Sequence, residues 1–150
     1  MTPTPSARSD LPMGMYTELY LAVELRGDTP KDVIDALTLL TSSEDIAASN
    51  PIFPDRTVFF PLRSGGSYYF DAIETCAFQY DDNAEAWYLT FVTSIKNYEN
   101  EWGTFLDWIS PYIADDGHVG HLRYEESDLP TVLYMERGRI LRIPVEKEPR

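Results

Sequence analysis

The run MYTELYLAVELR, residues 15–26, constrains the fold of this chain more than any other stretch. Met15, Thr17, Leu19, Leu21, Val23 and Leu25 alternate with Tyr16, Glu18, Tyr20, Ala22, Glu24 and Arg26. Successive strand residues point to opposite sides, so this period of two predicts a strand with one buried face. The next segment, GDTPKDVIDALTLL, predicts a turn and a helix. Asp28 or Thr29 is its expected cap, Pro30 its first residue and Asp32 an acid in its first turn. Val33, Ile34, Leu37 and Leu40 form the apolar stripe.

Beyond a long Pro- and Gly-containing connection, residues 49–67, the segments YYFDAIETCAFQY and AWYLTFVTSIK predict two antiparallel strands joined by DDNAE. The apolar residues of that connection, Ile52, Phe53, Val58, Phe59 and Phe60, predict that it packs against the domain. Trp102, Phe105, Leu106 and Ile109 then return to helical spacing, with Asn97 as the expected cap and Pro111 as the stop. VGHLRYE, TVLYMER and RILRIPV predict three further strands, the last two joined at Gly138, which can take positive φ. The order β-α-β-β-α-β plus an added hairpin predicts an α+β fold, a ferredoxin-like split β-α-β sandwich with both helices on one face of an antiparallel sheet. One domain is expected over residues 13–145, after a Pro-, Ser- and Thr-rich lead-in at 1–12 and before a charged tail at 146–150. The face away from the helices would carry Tyr16, Tyr20, Tyr88, Thr90 and Val92. Such a face suits a partner or a second copy, a homodimer, unless the 49–63 connection or the last strands cover it.

Charge narrows the partners. The net charge is −13, and it is unevenly spread. Residues 64–136 hold fourteen acids and only Lys96 and Arg123, whereas residues 137–150 hold five bases against two acids. Nucleic acid and anionic membrane would be repelled by that central block, and a basic protein attracted. No stretch approaches the ~20 apolar residues that span a bilayer, and the first residues lack an apolar signal region. Cys76, the single cysteine, offers neither a disulfide framework nor a zinc cluster. Together these make a reducing cytoplasm the expected location.

No constellation argues for chemistry. His118 and His121, in DDGHVGHLRYEESD, have His-x-x-His spacing. Gly117 and Gly120 oppose a helix by about 1 kcal/mol each, and strand positions three apart should face opposite ways. No metal is therefore expected there. Asp81-Asp82-Asn83 lacks the glycine and distal Glu of a calcium loop and is expected to be a hairpin turn. RSGGS, residues 63–67, precedes a strand and not a helix N-terminus, so a phosphate site is not expected. Cys76 has no basic neighbour in sequence to stabilise a thiolate and is expected to be buried and inert. No cofactor is implied.

The segments MYTELYLAVELRGDTPKDVIDAL, EWGTFLDWISPYI and GHLRYEESDLPTVLYMERGRI resemble small acidic proteins of uncertain function encoded by bacteriophages and prophages. The likeness spans roughly residues 13–143 and rests on strand and turn features. It implies a non-structural phage product in the bacterial cytoplasm and assigns no catalytic residue. The expectation is a non-enzymatic acidic protein that binds and inhibits a basic host protein, such as a nucleic-acid-binding or anti-phage defence component. Its expected contacts are Asp81, Asp82, Glu85, Asp115, Asp116, Glu125, Glu126 and Asp128, with Tyr16, Tyr20, Tyr88 and Val92 on the open face. The alternative is a small-ligand module that sequesters a nucleotide on that face. An enzyme would need a deep pocket joining a histidine to a carboxylate.

Overall fold

A computed structural model describes residues 16–41, 75–97, 100–127 and 129–146. These form six strands, β1 (Thr17–Glu24), β2 (Thr75–Asp81), β3 (Ala86–Ile95), β4 (Gly117–Tyr124), β5 (Thr131–Glu136) and β6 (Arg139–Pro144), and two helices, α1 (Lys31–Leu40) and α2 (Glu101–Ile109). The strands make one open antiparallel sheet in the order β2-β3-β1-β4-β5-β6. The protein is thus α+β. The 49–63 connection and RSGGS lie outside the described residues.

The alternation in β1 is realised directly. Leu19, Leu21, Val23 and Leu25 are buried. They meet Val33, Leu37 and Leu40 of α1 and Trp102, Phe105, Leu106 and Ile109 of α2 in a single core. Both helices therefore pack on the same face of the sheet. Each fully buried leucine contributes about 2 kcal/mol by leaving water. Trp102 packs between Phe91 and Phe105, and its indole Nε1–H donates to the Thr17 carbonyl at 2.9 Å, which satisfies its one buried polar atom.

The ends of both helices differ from expectation. Pro30 stands at the N-cap of α1 in extended geometry, with no side-chain cap. The Thr29 hydroxyl instead donates back to the Arg26 carbonyl at 2.7 Å and closes the preceding turn. In α2 the cap position is Asn100, in the left-handed region, while Asn97 accepts the Trp102 N–H at 2.9 Å from further back. α2 stops at Ile109, and Pro111 sits in the single 3-10 turn that follows, Ser110–Tyr112. The β5–β6 hairpin turns on Arg137 and Gly138, both at positive φ, the backbone that a two-residue hairpin demands.

Candidate functional site

The sheet register fixes which residues share the face away from the helices. Tyr20 lies opposite Val92, Ala22 opposite Thr90 and Glu24 opposite Tyr88. On the other flank of β1, Glu18 lies opposite Arg123 and Tyr20 opposite His121. Tyr88 is exposed, whereas Tyr16, Tyr20 and Val92 are half-buried. Lys96 reaches over the Tyr16 ring, its ammonium 5.8 Å from the centroid. The last strands do not fold across this face; they lengthen it, adding exposed Tyr134 and Ile143.

One end of the sheet gathers acids. β2 ends at Asp81, β3 begins at Ala86, β1 ends at Glu24 and β4 begins at Gly117, and the antiparallel order brings these four points together. Asp82 and Glu85 lie in the β2–β3 turn, and Asp115 and Asp116 lead into β4; all are exposed. Asp81 Oδ1 accepts the Asn83 N–H at 2.9 Å, and the Glu85 N–H donates to the Asp81 carbonyl at 2.7 Å, so the turn is an ordinary hairpin connection. Tyr88 stands beside this end. Its hydroxyl donates to Glu24 Oε1 at 3.4 Å. Burial pushes the phenol above the usual tyrosine range, and the negative charges of Glu24, Asp81 and Asp115 push it further. Among the described residues, Asp81, Asp82, Glu85, Asp115 and Asp116 have no ion-pair partner.

The remaining acids expected to join them lie elsewhere. Glu125 and Glu126 follow β4, at the far end of the sheet; eight strand residues at ~3.3 Å each put them roughly 25 Å away. Glu125 is also part of the frame, because its Oε1 accepts the Tyr16 N–H at 2.8 Å. Asp128 lies outside the described residues. Arg137 and Arg139 stand at the same end as Asp116 but toward the β6 edge. Five strand spacings of ~4.8 Å, roughly 24 Å, separate that edge from β2 and Asp81, whereas β4, which Asp115 and Asp116 precede, lies only two spacings, roughly 10 Å, from β6.

The histidines overturn one expectation. His118 lies opposite Tyr134 and His121 opposite Val132, two positions apart on β5, so both histidines share a face. A β-bulge between His118 and Gly120 inserts one residue and resets the alternation. The extra residue, Val119, is buried in the core instead. His121 then approaches a carboxylate the alternation alone marks as outward. Glu18 is only 5% exposed, with its Oε1 3.4 Å from the Arg123 guanidinium and 3.6 Å from His121 Nε2. Ser94, opposite Glu18 on β3, is buried too. Cross-strand neighbours close over Glu18, and no pattern within β1 reports them. No group of three or more His, Cys, Asp or Glu that could hold a metal occurs among the described residues. Cys76 is half-buried on the core side of β2.

No helix among the described residues is long and apolar enough to cross a membrane. Comparison with known proteins gives no match: no family model fits the chain, and no curated protein and no solved structure is significantly similar to it.

Proposed function

We propose that this protein binds a basic protein surface and performs no chemistry itself. The contact is the acidic end of the sheet: Asp81, Asp82, Glu85, Asp115 and Asp116, with Glu24 behind them and Tyr88 as an aromatic anchor. The observation that carries this reading is the strand order, which brings the exposed Asp81, Asp82, Glu85, Asp115 and Asp116 to one end of the sheet, where Tyr88 is also exposed. Carboxylates without ion-pair partners keep their field for a partner and steer its approach, and an exposed ring supplies contact area at small entropic cost. The same field repels phosphate backbones, which disfavours direct nucleic-acid binding. The partner is read as a host protein of a bacterial cytoplasm, one that handles nucleic acid or takes part in phage defence, in line with the phage-like sequence pattern.

We also read the frame as a split β-α-β, ferredoxin-like sandwich extended by a hairpin. The position of β3 between β2 and β1, and the packing of both helices on one face, support it.

Affinity capture from bacterial lysate tests the function. Retained proteins should be basic and should be lost steeply as salt rises from ~50 to ~300 mM, because the Debye length shrinks below the reach of the acidic end. Asp81→Lys with Asp82→Lys should abolish their retention. Retention that ignores both salt and charge reversal contradicts the reading.

A further inference from the structure

A cavity of about 150 Å³ opens on the helix side of the sheet, at its β2 edge and beside the same acidic turn. Tyr80 and Trp87 are cross-strand partners, their ring centroids 5.5 Å apart and their planes inclined by 63°, so the two rings form a corner. Phe78 stacks on the indole at 4.6 Å and holds it in place. Ile34 of α1 gives the cavity an apolar wall, and Glu85 lines it from the turn. Arg26 lines it as well, but Asp28 grips its guanidinium through two hydrogen bonds of 3.0 and 3.1 Å. That positive charge is matched. The Glu85 carboxylate is not, and Asp81 and Asp82 add to it from the same turn.

Aromatic rings set beside a carboxylate favour an organic cation, drawn by the ring quadrupoles and by the negative charge together. Size restricts the occupant further. Sites for drug-sized ligands run to about 300–1,000 Å³, so this cavity suits the end of one side chain and not a nucleotide. We propose that it receives the cationic tip of a lysine or arginine from the basic partner, with Tyr80 and Trp87 as walls and Glu85 as the counter-charge. The inference rests on the surface reading above and names the group that surface recognises.

The test uses the full chain labelled with 15N and follows its tryptophan indole signals, with Trp87 assigned by Trp87→Phe. The probes are the N-acetyl amides of lysine and arginine, with the neutral N-acetyl amide of norleucine as control. The expected result is a saturable shift of the Trp87 signal in the millimolar range with the cationic probes and none with norleucine. The stronger of the two cationic probes identifies the residue type. Glu85→Gln and Tyr80→Leu should each weaken binding several-fold while the signal of buried Trp102 stays in place as a check of folding. Equal shifts with norleucine, no saturation, or unchanged affinity in both variants would overturn the proposal. If the probes fail while basic proteins are still captured in a salt-dependent way, the cavity inference falls and the surface reading stands. If the probes bind while capture ignores salt and charge reversal, the cavity is upheld as a cation site and the surface reading falls.

Discussion

The Glu18 carboxylate lies 3.4 Å from the Arg123 guanidinium on the face of the sheet away from the helices, with only 6% of its side chain exposed. Removing one partner of a closed pair leaves the other charge poorly solvated, which costs more than the pair itself contributes. Arg123 keeps 39% of its side chain in water, which softens that cost. Glu18→Ala is expected to lower stability by about 2 kcal/mol, and Glu18→Gln by less, since it keeps the shape and one acceptor. Urea unfolding of the three proteins checks this. Equal midpoints would show that the cluster is energetically idle.

Gly120 permits a close approach of β4 to β1. A Cβ there would strike the backbone carbonyl of Tyr20, which cannot move without opening the ladder. Gly120→Ala is therefore expected to destabilise by about 2 kcal/mol or more. Gly27, with open space around its position, serves as the control, and Gly27→Ala should change stability by less than about 0.5 kcal/mol. Thermal melts of both variants provide the comparison.

Much of the frame is legible in the sequence, and the reasons are local. β1 alternates because one of its faces meets the core, and α2 shows its stripe because Trp102, Phe105, Leu106 and Ile109 all enter that core. Gly138 marks its hairpin because the turn needs positive φ. The bulge at Val119 is different. It depends on how β4 pairs with β1 and β5 at once, and no spacing within VGHLRYE encodes that. Glu18 likewise reads as a solvated residue until Ser94 and Arg123 are placed beside it. The grouping of acids follows strand order, so Asp81 and Asp115 reach the same end of the sheet across 34 residues of chain while Glu125, ten residues after Asp115, is carried to the other end.

Tyr88 reports its own burial and the acidic field together. Its phenol is held above the usual tyrosine range by burial and then by Glu24, Asp81 and Asp115. The folded state therefore binds the phenolic proton more tightly than the unfolded chain. Any stability this provides is present in full below the unfolded tyrosine value and is lost as pH rises through the folded one. Ultraviolet titration, with Tyr88→Phe to assign the signal, should show one tyrosine ionising late, and Glu24→Gln should bring it back toward the ordinary value. A Tyr88 that titrates with the free amino acid would contradict the convergence of charge at this end.

The central claim is that one end of the sheet, and not the net charge as a whole, recruits a basic partner. The most direct measurement compares two double variants that remove equal charge from opposite ends. Asp82→Asn with Asp115→Asn removes two negative charges from the acidic end, while Glu126→Gln with Glu146→Gln removes two from the other. Affinity for a captured basic protein is then measured at low and high salt. The account predicts a loss of about five-fold or more at low salt for the first pair, with a flatter salt dependence, and little change for the second. Equal losses for the two pairs would contradict it.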